Sequence, residues 1–345
     1  MSNVQISFLD AGEVPGGSVK INYFSFKGEK SGPKMFLVAG IHGHELTGIE
    51  VARRLCNFFS RHEIAAGELT IVPVANPVAF STKQRCTAYD NMDLNRCFPG
   101  NPHGSITERM GYVLYNLFKG HDFGIDLHGG PEGRLLLPHT RIIKSNDVKK
   151  IRELSRIFGT LVSMIRDGRE SMLSVYATND GIPTMPVELG EAYRLDEKFV
   201  QAGLFGVLNV MRYHGMISGQ ANIPDAQFVL KTRVNLRTKS TGLFFPRVQL
   251  GDFVRKRQLL AEIVNMEDGN IERVTSNNHG IVLAMLTHNI ALAGQMVSSV
   301  LDFEGCDTNK VSLQRGKHII YHKRLSGNVM DHWNMISPVL FQKKL

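Results

Sequence analysis

The feature that most constrains the fold is the alternation of short apolar runs with amphipathic segments over the first two thirds of the chain. The apolar runs predict buried strands at 35–39, 69–74, 123–127 and 185–189. The spacing of apolar residues in the other segments predicts helices at 46–60, 105–119, 147–158 and 196–213. Strands that alternate with helices indicate a layered α/β domain.

The pattern changes after a predicted boundary at 215–230. Beyond it the sequence consists of short strands and glycine turns, without a convincing helix. This part resembles a biotinyl/lipoyl-like β-barrel, but the hairpin apex at 265–269 has no lysine to carry a cofactor. We therefore predict two domains, a catalytic domain at 1–225 and a smaller all-β domain with a structural role at 226–345.

Charge and composition exclude several classes of protein. The formal net charge is +8, but the basic residues are scattered rather than gathered in the runs or stripes of a nucleic-acid binder. No apolar run is long enough to span a membrane, and the first residues do not resemble a secretory signal. The four cysteines lack metal-type spacing, which predicts reduced thiols in a cytoplasmic protein. The positive charge indicates an ordinary solvated basic surface, and mild attraction of a small anionic substrate is the alternative. A homo-oligomer is left open.

Two histidines and a glutamate follow predicted strands. His42 and Glu45 are three residues apart at a strand-to-helix turn, and His128 ends another strand. The carboxyl ends of strands meet at one edge of an open sheet, and two histidines with a glutamate form a known catalytic zinc set. We predict that these three residues bind zinc. His44 is the competing ligand, and a histidine without a metal is the alternative for each.

Two further polar groups suggest what such a site would act on. Asn95 and Arg96 offer an amide and a guanidinium group that suit a carboxylate, although such a polar segment is also typical of a turn. Glu188 lies within an apolar strand, where a carboxylate is costly unless it is paired or functional. Burial raises the pKa of a carboxyl group, which suits a general base.

Five motifs in order resemble the succinylglutamate desuccinylase/aspartoacylase family, a branch of the zinc carboxypeptidase superfamily. They are GxHGxE at 40–45, NP at 76–77, an arginine at 85 followed by DLNRxFPG at 93–100, DLHxG at 126–130 and VELG at 187–190. The resemblance implies a carboxypeptidase-like α/β/α domain with a mixed sheet, followed by a β-domain. It also implies one Zn²⁺ per chain, held by His42, Glu45 and His128.

The resemblance implies further roles by position. Asp93 would orient His42, and Glu188 would activate the water at the metal and then protonate the leaving amine. Arg85 would polarise the scissile carbonyl, while Asn95 and Arg96 would hold the substrate carboxylate.

The sequence departs from the family near Arg85, because Ala88 stands where the aspartoacylase subgroup has a nearer arginine. The segment at 137–139 is similar to a family loop that lines the site. Arg134, Arg166 and Arg169 are candidates for further anion contacts or ordinary surface residues.

The predicted function is hydrolysis of the amide bond of a small N-acyl amino acid or a related carboxylate-bearing amide, with water at the zinc ion as the nucleophile. The first alternative is a zinc carboxypeptidase that removes a C-terminal residue from a short peptide. A binding protein without catalytic activity is the second, and it predicts no bound metal.

Overall fold

The computed structural model describes residues 4–224 and 227–303. Its strands are β1 (Val4–Val14), β2 (Gly17–Lys27), β3 (Lys30–Ala39), β4 (Ala66–Val72), β5 (Phe123–Gly130), β6 (Arg134–Ile143), β7 (Val162–Arg166), β8 (Thr184–Glu191), β9 (Phe228–Leu230), β10 (Arg233–Arg237), β11 (Gly242–Pro246), β12 (Phe253–Val254), β13 (Leu259–Asn265), β14 (Ile271–Thr275), β15 (Gly280–Leu286), β16 (Ile290–Ala291) and β17 (Met296–Asp302). The helices are α1 (Leu46–Phe59), α2 (Pro77–Ser81), α3 (Ile106–Phe118), α4 (Val148–Phe158), α5 (Leu173–Asn179) and α6 (Glu197–Tyr213), with a 3₁₀ turn at Leu94–Arg96.

A mixed sheet of 13 strands forms the centre of the molecule. Its main path runs in the order β1, β2, β4, β3, β5, β8, β6, β15, β17, β10. The four central strands β4, β3, β5 and β8 are parallel, and the strands on both sides of them are antiparallel. On the side of β6 away from β8, the first residues of β6 pair with β15 and its last residues pair with β7.

Helices cover both faces of the parallel centre. Along β3, Met35 and Leu37 pack in the apolar cluster that contains α1, α4 and α6. The intervening residues Phe36 and Val38 pack against α3 and α5. Alternate residues of a strand point to opposite faces, so this strand is apolar throughout. The α/β/α layering predicted from the sequence is therefore present.

The predicted helices begin at recognisable caps. Ser105 accepts a hydrogen bond from the backbone of Glu108, and the Glu108 side chain accepts one from the Ser105 backbone, which forms the predicted capping box. Asp147 and Asp196 cap α4 and α6 in the same way, each accepting a backbone hydrogen bond. None of the helices in the described ranges is long and apolar enough to cross a membrane.

The described residues from 228 to 303 contain strands and no helix. Four of these strands form a second sheet in the order β14, β13, β11, β16. The predicted apex at 265–269 lies between β13 and β14, which pair in antiparallel fashion. Strand β15 instead bonds to β6, so the main sheet continues across the predicted boundary at 225.

Three cysteines in the described part, Cys56, Cys86 and Cys97, carry free thiols. Cys306 and the last part of the predicted second domain, 304–345, lie outside the described residues.

Candidate metal centre

The candidate centre lies at the carboxyl ends of three adjacent parallel strands. His42 follows β3, His128 lies in β5, and Glu188 lies in β8 directly opposite His128 in the strand register. Gly40 directly follows β3 and has a φ of +65°, a backbone conformation that favours glycine. A side chain at Gly43 would overlap the backbone of Ala79 and Phe80. These two glycines let the chain turn tightly between His42 and α1.

His42, Glu45 and His128 form a compact group that could hold a metal ion. Their candidate ligand atoms lie within 4.8 Å of one another. Glu45 Oε1 lies 2.7 Å from His42 Nδ1, and Glu45 Oε2 lies 3.0 Å from His128 Nδ1. All three side chains are buried. Two imidazole nitrogens and a carboxylate suit zinc, so the donor set fits the metal that the sequence predicts. His44 is not in this group, and its ring packs against Tyr193.

The remaining nitrogen of each histidine faces a carboxylate. Asp93 Oδ1 lies 3.1 Å from His42 Nε2, and Asp126 Oδ2 lies 2.9 Å from His128 Nε2. Carboxylates in these positions fix the orientation of metal-binding imidazoles and leave the other nitrogen free for the ion. The sequence predicted this role for Asp93 only. Asp126 is two residues before His128 on the same strand, so strand alternation was the signal that could have identified it.

The charges of this group are strongly coupled. Burial raises the pKa of Glu45, but the two histidines outweigh it and leave that pKa well below its usual range. Burial lowers the pKa of His128, but Asp126 and Glu45 outweigh it and leave the pKa well above its usual value. The pKa of His42 is raised because Glu45 and Asp93 outweigh its burial. In this group the attraction between Glu45 and the two imidazoles therefore outweighs the effect of burial.

Glu188 is a buried carboxylate beside this group. Burial raises its pKa, although the positive charge of Arg141 acts in the opposite direction. Arg141 Nη1 lies 3.0 Å from Glu188 Oε1. The sequence did not single out Arg141, because its pairing depends on the register between β6 and β8. A carboxylate with a raised pKa and one guanidinium partner can accept and return a proton.

Arg85 lies at the rim of the centre. Its Nη2 donates to Asp93 Oδ2 at 3.0 Å, and its Nη1 lies 3.7 Å from Glu45 Oε1. The Arg85 side chain is 43% exposed, so part of its guanidinium group is accessible from outside the buried group. The structure thus places this residue beside the predicted metal ligands.

Asn95 and Arg96 lie in the 3₁₀ turn that follows Asp93. Asn95 is buried, its Oδ1 accepts from the backbone of Leu173 at 3.0 Å, and its Nδ2 lies 3.3 Å from His128 Nε2. Arg96 donates from Nη1 to the carbonyl of Asn95 at 2.6 Å. Burial and the charges of Arg85 and Arg169 lower the pKa of Arg96, although Asp93 opposes them. Within the described ranges, no carboxylate forms an ion pair with Arg96.

The segment at 137–139 is not a loop, because it lies inside β6. His139 is buried opposite Glu188 in the strand register. Arg134 begins β6 and Arg166 ends β7, and both lie close enough to Arg233 of β10 to affect its pKa. Arg169 instead lies near Arg96. Arg233 was not predicted, because no local pattern indicates its position.

The family model of the succinylglutamate desuccinylase/aspartoacylase catalytic domain matches residues 31–214, more than half of the chain. The chain belongs to the succinylglutamate desuccinylase/aspartoacylase family. The match contains the three candidate metal ligands together with Asp93, Asp126 and Glu188.

Individual relatives agree with this assignment. The chain is 27% identical over 253 residues to the N-alpha-acetyl-L-2,4-diaminobutyric acid deacetylase of Halomonas elongata, covering 70% of this chain and 74% of that protein. A succinylglutamate desuccinylase/aspartoacylase structure from Rhodobacter sphaeroides has a TM-score of 0.75 and 23% identity, over 87% of this chain and 95% of that one. The product-bound ectoine utilization protein EutE (DoeB) from Ruegeria pomeroyi gives the same TM-score, identity and coverages. These structures share the fold, including its mixed sheet.

Proposed function

We propose that this family member is a zinc-dependent hydrolase that cleaves the amide bond of a small N-acyl amino acid or a related carboxylate-bearing amide. The observation that carries the proposal is the buried group of His42, Glu45 and His128 with Glu188 on the neighbouring strand. Neighbouring strands are about 4.8 Å apart, so Glu188 and His128 start from adjacent positions. The name of the Halomonas elongata relative, a deacetylase of an N-acetylated amino acid, supports the same reaction class.

One zinc ion per chain would be held by His42, Glu45 and His128. When bound, zinc supplies Lewis-acid polarisation of a carbonyl and makes water a stronger nucleophile at neutral pH. Asp93 and Asp126 keep the two rings oriented for this purpose. The compact carboxylate-linked donor set supports this assignment.

Glu188 is the proposed general base. It takes a proton from the attacking water and then delivers it to the nitrogen of the leaving amine, so the acid and the amine separate without net consumption of a proton. The ion pair with Arg141 favours the ionised carboxylate at the start of the cycle. Burial away from bulk water favours proton transfer to the reacting groups.

Arg85 is proposed to donate to the oxyanion that develops on the scissile carbonyl. Its position beside Glu45 and Asp93 supports this role, because the guanidinium group lies next to the ligand group rather than remote from it. Asn95 and Arg96 are proposed to hold the substrate carboxylate. Arg96 suits this task because no carboxylate in the described part of the chain occupies its guanidinium group.

The test is a substrate panel of N-acetyl amino acids, N-succinyl amino acids and dipeptides, incubated with the protein after zinc is added and the bound zinc is measured. We expect turnover of the N-acyl amino acids, and a decrease of about 10² to 10⁴ in kcat for Glu188→Gln with zinc retained. Glu153→Gln is the matched control, because Glu153 is an exposed glutamate on α4. Turnover of dipeptides alone would favour the carboxypeptidase. Absence of both zinc and turnover would favour a binding protein.

We also propose the finer domain organisation and cellular context predicted above. The division into 1–225 and 226–345, with a biotinyl/lipoyl-like barrel in the second part, is supported by the change from helices to strands after α6. A cytoplasmic location is supported by the free thiols of the described cysteines. The proposed partner is a small anionic substrate rather than nucleic acid or a membrane, and a homo-oligomer stays open.

A further inference from the structure

The asparagine–proline motif at 76–77 has no role in the proposed reaction, yet Asn76 is fully buried close to the candidate centre. Its Oδ1 accepts from the backbone of Ala79 at 2.9 Å, and Pro77 occupies the first turn of α2. An asparagine cap followed by a proline is a common start of a helix, which accounts for the motif as far as the fold is concerned. The cap, however, uses only the oxygen of the amide group.

The amide nitrogen of Asn76 makes a second contact. Its Nδ2 donates to Thr87 Oγ1 at 2.9 Å, and both side chains are fully buried. Thr87 lies in the segment 83–93, which follows α2 and ends at Asp93 beside the candidate centre. We call this segment the Arg85 loop. The contact therefore joins the start of α2 to the middle of the loop.

Arg85 lies between two attachments of this loop to α2. On one side of it, the backbone of Gln84 donates to the carbonyl of Ala79 at 2.8 Å. On the other side, Thr87 is bound by the Asn76 side chain. The far part of the loop is held elsewhere, because Asp90 accepts from the backbone of Thr107 at the start of α3. The bond between Asn76 and Thr87 is therefore the side-chain contact that holds the Arg85 end of the loop to the start of α2.

Helix α2 is in turn attached to the segment that carries the candidate ligands. The backbone of Asn76 donates to the carbonyl of Gly40 at 2.9 Å, and Gly40 lies two residues before His42. A methyl group at Gly43 would lie 2.0 Å from the carbonyl carbon of Ala79, so the ligand turn and α2 are in close contact. One buried residue thus bonds both to the backbone that leads to the metal ligands and to the loop that carries Arg85.

The position of Arg85 depends on this loop. Arg85 Nη1 lies 3.5 Å from His42 Nδ1 and 3.7 Å from Glu45 Oε1, while the side chain is 43% exposed. A long side chain that is partly exposed has many rotamers, so its backbone must be held in place for the guanidinium group to stay over the ligands. A displacement of about 1 Å in a group that stabilises a transition state can lower the rate about a hundredfold.

We propose that Asn76 is a positioning residue that acts through Thr87 on Arg85. Its hydrogen bond fixes the Arg85 loop relative to the candidate metal ligands, so that the guanidinium group faces the scissile carbonyl. This inference rests on the proposed hydrolase and on the role proposed there for Arg85. The hydroxyl group of Thr87 is the part of the contact that can be removed while the cap of α2 stays intact.

The kinetic test removes that hydroxyl group. Thr87→Val keeps the branched shape of the side chain, and we expect kcat per bound zinc to fall about tenfold to a hundredfold. KM should change little, because Arg85 would act on charge that develops in the transition state. Thr87→Ser returns a hydroxyl group and should restore most of kcat. The substrate is the N-acyl amino acid of the panel with the highest turnover, and bound zinc and thermal stability are measured for every variant.

A matched control and a double variant separate positioning from a general loss of stability. Thr178→Val also removes a buried hydroxyl group, but this one bonds to the backbone of Thr184 at the amino end of β8, so kcat should not change. If Thr87 acts through Arg85, adding Thr87→Val to Arg85→Gln should lower kcat no further. Decreases that multiply in the double variant, or wild-type kcat in Thr87→Val, would overturn the proposal.

Cys86 provides a measurement that needs no hydrolysis. It is a half-buried free thiol between Arg85 and Thr87, whereas the other thiols in the described part of the chain are buried. Its alkylation by iodoacetamide can be located by peptide mass spectrometry. We expect the rate to rise about tenfold in Thr87→Val and in Asn76→Ala, because loss of the hydrogen bond lets the loop open. The rate should stay unchanged in Thr87→Ser and Thr178→Val.

The thiol measurement separates this inference from the proposed function. Faster alkylation in both Thr87→Val and Asn76→Ala, with neither control affected, supports the fixed loop even if no amide is hydrolysed. Amide hydrolysis by the wild type, combined with an unchanged alkylation rate in both variants, contradicts the positioning role alone.

Discussion

The four carboxylates around the candidate centre have different partners. Glu45 lies between two imidazole nitrogens, whereas Asp93 and Asp126 each face the opposite nitrogen of one ring. The first arrangement suits a metal ligand, and the second suits a carboxylate that orients a ring. Glu188 differs from all three, because among the described residues it is paired with Arg141 and with no histidine. This difference in partners is what makes it suitable for proton transfer.

Removing one ligand should remove the metal. His128→Ala deletes one of three donors, and we expect the zinc content to fall from about one ion per chain to well below it. The change also leaves the fully buried Asp126 without its partner, so the free energy of unfolding should decrease by about 3 to 5 kcal/mol. The checks are elemental analysis after dialysis and urea denaturation. His62→Ala, at an exposed histidine, is the control, and undiminished zinc in a folded His128→Ala would refute the ligand set.

The pH dependence should respond to Arg141. The general base proposed for Glu188 requires the ionised carboxylate, so kcat/KM should decrease as pH falls through the pKa of Glu188. Arg141 lowers that pKa, and its removal in Arg141→Gln should raise the pKa and move the acidic limb upward by about 1 to 3 pH units. The measurement is a pH profile of kcat/KM, with Arg255→Gln as the control. An unmoved limb would show that another group controls this part of the profile.

Sequence reasoning found the residues of the centre that local motifs carry. His42, Glu45 and Asn95 lie in short sequence motifs whose chemistry can be recognised without a structure. It did not identify Arg141 or Arg233. The position of Arg141 beside Glu188 depends on the register of two antiparallel strands, and Arg233 comes from β10, nearly a hundred residues after Arg141. Non-local pairing leaves no local pattern to read.

At the scale of elements, caps and prolines decided which predictions were accurate. The helix predicted at 105–119 is present as Ile106–Phe118 because its capping box fixes the start. The strand predicted to reach residue 74 ends at Val72, since Pro73 cannot donate to a ladder. Strand β6 was missed because Pro138 interrupts its pattern, and the sheet accommodates that proline at an irregularity between Leu136 and His139.

The edge hairpin of β1 and β2 was also missed. Polar residues interrupt the apolar ones in both strands, so neither contains the continuous apolar run from which the other strands were predicted. A hairpin on the edge of a large sheet needs only one covered face. Helix α5 is short and has no side-chain cap at its start, which removed the usual signal.

The turn between β3 and α1 provides a test at this scale. A methyl group at Gly43 would overlap the backbone of Ala79 and Phe80, so Gly43→Ala must displace α2 or the turn itself. We expect a loss of about 1 to 3 kcal/mol in the free energy of unfolding together with weaker zinc binding. Ser105→Ala is a matched control, because loss of the α3 cap should cost about 1 kcal/mol without affecting zinc. Normal zinc affinity in Gly43→Ala would show that the turn tolerates the displacement.

At the scale of the whole molecule, the order of strands is the property that the sequence could not supply. An α/β domain and a separate all-β domain were predicted, but the insertion of β15 and β17 into the main sheet was not. Local periodicity gives the type of an element, whereas its neighbours depend on packing with distant residues. The consequence is structural, since residues on both sides of the predicted boundary at 225 pair within one sheet.

The continuous sheet makes a prediction about unfolding. All residues of β15 are buried, and this strand bonds to β6 on one side and to β17 on the other. Leu137 and Met164 pack in one apolar cluster with the C-terminal strands, so neither part can unfold without exposing apolar surface on the other. We expect one cooperative transition in scanning calorimetry, with equal calorimetric and van't Hoff enthalpies. Two resolved transitions would instead show that the parts at 1–225 and 226–345 are stable independently.

Val282→Asp, which places a charge in the middle of β15, tests the coupling directly. Because an unpaired buried charge disrupts that strand, it should lower the single transition temperature of the whole protein rather than that of the C-terminal part alone.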